Sequence, residues 1–246
     1  MKDFNVPWQQ LIYSPLIGWG EHVNPRGMLT KEQLGWRMVF EPWQRFIHHK
    51  RLPLNFDYMT KELEWYIKGE YGDVSIAEHA EIWKKSMNPD GTLTSNYGHL
   101  LWGRIDRPLF RAIQELKKDL FSRRAFAHIL RPEHFLDVVN DVPCTVGMQF
   151  LVRKEQLFTV VTMRSQDAVY GLRNDLPFFH FVSDVLCRIL DLRPAKISLS
   201  VGSFHIYERH FAKVMEVVRY PFEWVEPKVD WEEEVTRVVQ RLTSEG

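Results

Sequence analysis

Residues 143–175 of this chain read PCTVGMQFLVRKEQLFTVVTMRSQDAVYGLRND. Two short apolar runs within them, residues 146–152 and 157–163, have the length and composition of strands and are joined by a turn. From Asp175 to residue 192 the apolar period becomes that of a helix, which predicts a central, buried helix. Its apolar stripe consists of Phe178, Val182, Val185, Leu186 and Ile189. Strands followed by such a helix predict an α+β fold, in which helices pack against a sheet.

Further elements are predicted on both sides of this segment from apolar periodicity. They are helices over residues 60–68, 106–120, 211–218 and 230–242, and strands over residues 125–130 and 197–207. Another helix is predicted to begin at Ser75, whose spacing to Glu78 is that of a capping box. Asp106 is the predicted N-cap of the helix that follows it. Residues 1–56 are predicted to be irregular, because five prolines interrupt them. No boundary is evident, so residues 1–246 are predicted to form a single domain.

The composition excludes several classes of protein. Lysine plus arginine and aspartate plus glutamate number 32 each, so a zero net charge argues against a surface that binds nucleic acid directly. Neither a signal peptide nor an apolar run long enough to span a membrane is visible. The two cysteines, Cys144 and Cys187, form no CxxC motif, which favours a reducing cytoplasm over a disulfide framework. The histidine pairs lack cysteine partners and HExxH spacing, so no metal is predicted.

Cys144 is the first candidate for chemistry, although a lone cysteine is more often a small buried hydrophobe. As a nucleophile it needs a cation that lowers the pKa of its thiol, and a site that admits substrate. Three arginines near predicted strand ends could supply such a charge: Arg123, Arg124 and Arg164. Each one taken singly is more simply interpreted as a solvated arginine. The high aromatic content, 13% with nine tryptophans, suggests in addition a pocket lined with flat rings.

The order of these features along the chain is informative. They are Ser122-Arg-Arg124, Pro143-Cys144 with Gln149-Phe150, Arg164-Ser-Gln-Asp167 with Gly171 and Asp175, and His205-Ile-Tyr207 with His210. Upstream stand Pro25-Arg-Gly27, Lys61-Glu-Leu-Glu-Trp-Tyr66, Ile82-Trp83 and Tyr97-Gly98. This series resembles the thymidylate synthase superfamily over residues 24–212. Each motif is weak alone, but all of them in order with compatible spacing make a chance match improbable.

The resemblance implies a fold and a set of roles. The fold would be a large mixed β-sheet packed with helices, in a homodimer joined through the sheets. For catalysis, Cys144 would be the nucleophile toward carbon 6 of a pyrimidine, Glu62 the general acid and base, and Tyr97 would help to remove the proton of carbon 5. The nucleotide phosphate would be bound by Arg26, Arg164 and Ser165, together with Arg123 and Arg124 of the other subunit. The sugar would contact His205 and Tyr207, and the folate would contact Glu62, Trp83 and Asp167. Simpler structural interpretations stay open: Glu62 could be a solvated carboxylate on a helix, and His205 and Tyr207 could only pack at the edge of the sheet.

Asp175 would decide which base is bound. Thymidylate synthases carry asparagine four residues after the glycine that matches Gly171, and an amide can pair with the edge of uracil. A carboxyl group accepts from the exocyclic amine of cytosine and, when protonated, also satisfies the ring nitrogen. Asp175 therefore favours cytosine. Two alternatives stay open: Asp175 could be only the N-cap of the following helix, or a shift by one residue could place Asn174 at the base.

Further departures from the synthase pattern agree with cytosine. They are Thr145 after the nucleophile, the segment Gly171-Leu-Arg-Asn-Asp175, Ser95–Gly98 and Glu62–Trp65, and they resemble the phage deoxycytidylate 5-hydroxymethyltransferase branch. That resemblance implies transfer of a one-carbon unit from 5,10-methylenetetrahydrofolate to dCMP or CMP, with water rather than hydride completing the reaction. The alternatives are a dUMP hydroxymethylase, a thymidylate synthase, or a homologue that binds a pyrimidine nucleoside monophosphate without catalysis. The preference between ribose and deoxyribose stays open.

Overall fold

The centre of the molecule is a mixed β-sheet. The computed structural model describes residues 8–49, 51–136, 139–219 and 230–244. Within them six strands lie in the order β1-β2-β6-β5-β4-β3, and of the neighbouring pairs only β5 and β6 run parallel. The strands are β1 (Glu21–Val23), β2 (Thr30–Phe40), β3 (Phe126–His128), β4 (Thr145–Arg153), β5 (Gln156–Asp167) and β6 (Arg193–Tyr207). The predicted α+β class is confirmed.

Helices cover one face of the sheet, and α5 is the central one. Those described are α1 (Trp8–Trp19), α2 (Phe56–Lys68), α3 (Glu81–Ser86), α4 (Pro108–Lys118), α5 (Gly171–Leu190), α6 (Phe211–Arg219) and α7 (Trp231–Ser244). The apolar residues of the predicted α5 stripe are buried or half-buried, and α5 packs against β5, β6, α2, α4 and α7. Burial of these large side chains stabilises the fold by about 1.5–3 kcal/mol for each one fully buried. No helix among the described residues is long and apolar enough to cross a bilayer.

Strand register brings four strand ends together at one edge of the sheet. Asp167 near the end of β5 pairs with His205 on β6. Thr145 at the start of β4 pairs with Met163 of β5, and Thr30 at the start of β2 pairs with Tyr207. The carboxyl ends of β5 and β6 therefore meet the amino ends of β4 and β2. Cys144 immediately precedes β4, so this edge carries the predicted nucleophile.

The prediction for residues 1–56 was wrong, because they contain the helix α1 and the eleven-residue strand β2. Pro15 lies inside α1 and did not prevent the helix. β2 carries alternating apolar residues, Leu34, Trp36, Met38 and Phe40, a strand period that the prediction from the five prolines overlooks. Its conformation is set by pairing with β6 along nearly its whole length, which is a long-range effect.

Two predicted helix starts were also wrong. Ser75 begins a short 3₁₀ turn, Ser75–Glu78, and its side chain makes no capping bond; instead the Asp73 carboxylate accepts from the Ser75 amide at 2.9 Å. Asp106 is not the cap of α4, which begins at Pro108 after Arg107. Asp106 forms an ion pair with Arg131 at 2.6 Å instead. At Ser75 the cap is displaced by a local turn with Asp73, whereas at Asp106 the partner is 25 residues away and local spacing does not reveal it.

Candidate active site

Cys144 lies half-buried at the sheet edge beside Arg164. The Cys144 carbonyl accepts from the Arg164 amide at 2.8 Å. The exposed guanidinium of Arg164 donates to the carbonyls of Val142 at 2.7 Å and Pro143 at 3.0 Å, which fixes the turn before the sulfur. Burial raises the pKa of the Cys144 thiol, whereas Arg164 and, more weakly, Arg26 lower it. The predicted effect of Arg164 on the thiol has the right direction, but burial is the larger influence.

A buried carboxylate holds the loop that carries Cys144. Asp141 accepts from both the amide and the hydroxyl of Ser95, each at 2.6 Å, and its own amide donates to the Asn88 side chain at 3.1 Å. Ser95 stands two residues before Tyr97, so these bonds tie the Tyr97 segment to the cysteine loop. Hydrogen bonds to a charged, buried group are among the stronger ones in proteins, at about 1.5–3 kcal/mol.

Tyr97 is packed tightly on α2. Its ring stacks on Tyr66 with centroids 5.2 Å apart, and both rings contact Phe178 of α5. Any side chain on Gly98 would lie 1.6 Å from the Tyr66 carbonyl, so only glycine permits this approach. The Tyr97 hydroxyl lies against Thr145, and its pKa is raised chiefly by burial and next by Asp175. Tyr97 is thereby placed near both Asp175 and the residue after the nucleophile.

Glu62 lies on the inner face of α2 and is buried. Tyr58, one turn earlier, donates its hydroxyl proton to Glu62 Oε1 at 2.6 Å, and Trp83 Nε1 donates to the Tyr58 hydroxyl at 2.8 Å. Burial raises the pKa of Glu62 to about 8; the hydrogen bond from Tyr58 opposes this shift and the nearby Asp175 adds to it. A carboxyl group with a pKa near neutrality can both accept and release a proton. The alternative of a solvated helix carboxylate fits Glu64, which pairs with Lys61 on the surface.

Asp175 lies inside α5, so the N-cap interpretation was wrong: α5 begins at Gly171 after Tyr170. The amide of Gln166 on β5 donates to Asp175 Oδ2 at 2.9 Å. Burial raises the pKa of Asp175 to about 7. Asp175 in turn raises the pKa of Cys144, Tyr97 and Glu62, so its carboxyl group lies close to all three. Asn174, the next residue on the helix, is half-exposed and is rotated by roughly 100° from it.

The carboxyl end of β5 contributes Ser165 and Asp167. Ser165 is half-buried and pairs in register with Ser203. Asp167 is half-exposed, and its carboxylate accepts from the amides of Val169 at 3.0 Å and Tyr170 at 3.3 Å. These bonds hold the turn between β5 and α5, which is the turn that presents Asp175.

The end of β6 contributes His205 and Tyr207. Their rings meet edge to face with centroids 5.0 Å apart, His205 buried and Tyr207 half-buried. Arg26 lies in the turn between β1 and β2, where its backbone adopts a left-handed φ of 53°. Burial raises the pKa of Tyr207 and of Cys144, and Arg26 opposes the rise at both, so its charge lies near this edge of the sheet. A strained backbone at an exposed arginine near the predicted nucleophile supports the hypothesis of a functional turn.

Arg123 and Arg124 do not join the site in this chain. The side chain of Gln149 donates to the Arg123 carbonyl at 2.9 Å, so this arginine lies beside the middle of β4. Five residues of strand separate Gln149 from Cys144, a distance of roughly 16 Å. Both arginines are exposed. The predicted role of these two arginines on a phosphate therefore has no counterpart beside the cysteine of the same chain.

Sequence reasoning missed three contributors to this arrangement. Tyr58 could have been found, because it stands four residues before Glu62 on one helix, the spacing at which side chains meet. Gln166 was seen only as the variable position of the Arg164–Asp167 motif. The bond of Ser95 to Asp141 joins residues 46 apart and had no local signal.

The assembled groups are a thiol, two carboxyl groups with near-neutral pKa values, a buried phenol, and arginines open to solvent. A thiolate can add to an electron-poor ring carbon, and the carboxyl groups can move protons at neutral pH. The arginines suit a phosphate dianion. Among the described residues no cluster of three histidine, cysteine, aspartate or glutamate side chains is placed to hold a metal ion.

Comparison with known proteins agrees with this chemistry. A family model described as thymidylate synthase matches residues 19–244. The deoxycytidylate 5-hydroxymethyltransferase of Enterobacteria phage T4 is 33% identical over 171 residues, covering 64% of this chain and 70% of the phage protein. A thymidylate synthase of Fusobacterium nucleatum is 28% identical over 171 residues, covering 68% of this chain and 62% of that enzyme. Because the family model spans most of its length, the chain belongs to the thymidylate synthase family.

Proposed function

We propose that this protein is a cytidylate 5-hydroxymethyltransferase, acting on dCMP or CMP with 5,10-methylenetetrahydrofolate and water. The family performs one-carbon transfer to pyrimidine nucleotides with this folate as co-substrate. The observation that carries the choice of cytosine is the carboxyl group of Asp175, which lies close to Cys144, Tyr97 and Glu62.

The chemistry of the base edge supports the choice. Cytosine offers a ring nitrogen that accepts and an exocyclic amine that donates, whereas uracil offers the reverse. Burial raises the pKa of Asp175 to about 7, so much of it carries a proton near neutral pH. A protonated carboxyl group donates with one oxygen and accepts with the other, which matches cytosine. A mismatched base would leave buried polar groups unpaired, at a cost of about 1–3 kcal/mol for each group.

The residues of this chain suit the bond changes of the reaction. The thiolate of Cys144 bonds to carbon 6, and the electron pair of the ring double bond becomes available at carbon 5. The folate supplies the one-carbon unit that carbon 5 then bonds. Carbon 5 loses its proton with the help of Tyr97, and this electron pair breaks the bond between the one-carbon unit and the folate nitrogen, which leaves as tetrahydrofolate. The oxygen of water then bonds the one-carbon unit and gives up a proton. Expulsion of Cys144 restores the ring, leaving a hydroxymethyl group and tetrahydrofolate with nothing oxidised.

The residues also suit a folate. Trp83 presents a half-buried indole ring beside Glu62, and a flat ring is a good surface for a pterin to stack upon. Asp167 keeps a half-exposed carboxylate at the same edge of the sheet, which can accept from the N–H groups of a pterin. Glu62 would exchange protons with the folate and with the attacking water, as its raised pKa allows.

Phosphate binding would complete the site in a homodimer. Arg164, Arg26 and Ser165 of one subunit would hold the phosphate, with Arg123 and Arg124 supplied by the second subunit. The exposure of the last two arginines, and their separation from Cys144 along β4, support a role across an interface. Asn174 would lie beside the nucleotide, and His205 with Tyr207 would contact the sugar. Catalysis in a reducing cytoplasm would keep the free thiol of Cys144 available.

The experiment is incubation of the protein and the folate with dCMP, CMP or dUMP in separate reactions, followed by mass spectrometry. Supporting results are a cytidylate heavier by one CH₂O unit and formation of tetrahydrofolate. The relative rates on dCMP and CMP decide the sugar preference. A methylated product with dihydrofolate would identify a thymidylate synthase, and hydroxymethylation of dUMP alone would refute the reading of Asp175. Nucleotide binding with no product would indicate a catalytically silent homologue.

A further inference from the structure

Gln166 lies in a buried position on β5 with its side-chain amide directed at α5. It is 2% exposed, and its Nε2 donates to Asp175 Oδ2 at 2.9 Å. A side chain built on Gly171 would lie 3.5 Å from Gln166 Oε1, so the first turn of α5 packs directly over the amide. The amide is thus confined between the strand and the helix. It is the one described hydrogen-bond donor to Asp175.

We propose that Gln166 is a positioning residue that keeps the proton of Asp175 on Oδ1, so that the carboxyl group reads cytosine and rejects uracil. This inference rests on the proposed function, because it assumes that Asp175 contacts the base.

The order of donor and acceptor on the two oxygens of Asp175 decides which base the carboxyl group complements. A neutral carboxyl group can carry its proton on either oxygen, and the two forms present opposite patterns to a base. In the proposed arrangement Oδ1 faces the ring nitrogen and Oδ2 the exocyclic group, so the form protonated on Oδ1 complements cytosine and the form protonated on Oδ2 complements uracil. An N–H group directed at Oδ2 stabilises the form in which Oδ2 accepts, so the proton stays on Oδ1. Asp175 alone would therefore discriminate weakly between cytosine and uracil, whereas Asp175 paired with Gln166 would discriminate strongly between them.

The surroundings contain no competing cation among the described groups that perturb Asp175. The titratable groups facing it come from α2, the Tyr97 segment, the cysteine loop and the end of β5, and each is acidic or neutral. They are Tyr58, Glu62, Tyr66, Tyr97, Cys144 and Asp167. No described ion pair includes Asp175. The neutral amide is therefore the group that orders the two carboxyl oxygens.

The test is Gln166→Met, which keeps the length of the side chain and removes the donor. We expect the ratio of kcat/KM for cytidylate over uridylate to fall by about 10- to 100-fold, the value of one hydrogen bond to a charged or strongly polar group. The Gln166 bond lowers the pKa of Asp175, so its loss should also move the alkaline limb of the cytidylate pH profile to higher pH. Gln156→Met, the same change at the other end of β5, is the control and should leave ratio and profile unchanged.

Gln166→Glu supplies a second test in case the methionine variant is unstable. A carboxylate at this position would draw the proton of Asp175 to Oδ2, and we expect the preference for cytidylate to fall further. Equal loss of activity on both nucleotides with an unmoved pH limb would overturn the role of Gln166. A wild-type protein that turns over only uridylate would instead refute the proposed function, and the two failures are thereby distinguished.

Discussion

Helix α5 carries two acidic residues, nine positions apart, whose surroundings differ. Burial raises the pKa of both Asp175 and Asp184. Asp184 contacts the guanidinium of Arg45 at 2.7 Å and accepts from Trp231 Nε1 at 2.7 Å. In the part of the chain that the structure describes, the partner of Asp175 is the side-chain amide of Gln166 alone, at 2.9 Å. We call the first environment the α7 end of α5 and the second its site end.

The difference separates a structural carboxylate from one available for chemistry. Arg45 and Trp231 come from two segments that pack on α5, so Asp184 joins three parts of the chain through charge and hydrogen bonds. Among the described residues no cation pairs with Asp175, and only its Oδ2 has a hydrogen-bond donor. The cysteines follow the same division: Cys144 at the site end is half-buried beside Arg164, whereas Cys187 at the α7 end is buried with a pKa raised to about 12.

The largest expected effect compares these two cysteines. Cys144→Ser should lower kcat by at least about 1,000-fold, because a hydroxyl cannot replace the thiolate as nucleophile, while nucleotide binding persists. Cys187→Ser should retain activity and lose about 1–2 kcal/mol of stability, since a hydroxyl group is then buried. Product formation and urea unfolding measure the two effects. Substantial turnover by the Cys144→Ser variant would contradict the assignment.

Asp175→Asn and Asp184→Asn form the next comparison. Asp175→Asn should lower kcat/KM for cytidylate by about 100-fold and raise the relative rate on uridylate, because an amide can pair with uracil. Asp184→Asn should leave this ratio unchanged and lower the free energy of unfolding by about 1–3 kcal/mol, since Arg45 loses its partner. Kinetics on both nucleotides and chemical denaturation provide the measurements. An unchanged base preference in the Asp175 variant would count against base reading.

The sequence predicts the strands and the helix around Cys144 and Asp175 better than the contacts between segments that lie far apart in the chain. The strands around Cys144 and the helix after Gly171 follow from local period and composition, and the structure has them at β4, β5 and α5. By contrast, no local pattern encodes the pairing of β2 with β6, which lies some 170 residues away. The same limit applies to Asp106, whose partner Arg131 is supplied by the tertiary fold.

For the site, the residue types and their order indicate the chemistry, whereas the pKa values depend on burial. Helical spacing places Glu62 among the apolar residues of α2 and Glu64 on the opposite face, but it does not give the depth of burial. The fold buries Glu62 beneath Tyr58 and leaves Glu64 beside Lys61 on the surface. Their different environments follow from which face of α2 packs on α5.

A smaller effect concerns stability and pH. The folded-state pKa of Glu62 is about 8, against an ordinary 4.5. The folded protein therefore binds the extra proton, so this contribution is fully present below about pH 4.5 and is lost as pH rises to about 8. Glu62→Gln should remove this loss and be more stable than wild type above about pH 8, by on the order of 1–3 kcal/mol.

Urea unfolding near the two ends of that pH range tests this expectation. Glu64→Gln, on the exposed face of the same helix, should retain the pH dependence of the wild type. Equal pH dependence in wild type and Glu62→Gln would show that the buried carboxyl group is not the source. A stability gain accompanied by loss of activity would show that the buried carboxyl group of Glu62 supports activity while lowering the free energy of unfolding.

The smallest effect concerns how Glu62 is held. Tyr58→Phe removes the hydrogen bond to Oε1 and the link to Trp83 but keeps the ring. Because that bond lowers the pKa of Glu62, the variant should move the limb of the pH–kcat profile that Glu62 causes to higher pH. We also expect kcat to fall by about 3- to 10-fold, as loss of one neutral hydrogen bond implies. Tyr71→Phe, at a ring 83% exposed, is the matched control. A lower kcat with an unmoved pH limb would mean that Tyr58 acts through packing alone, and the hydrogen-bonded chain from Trp83 would then have no part in proton transfer.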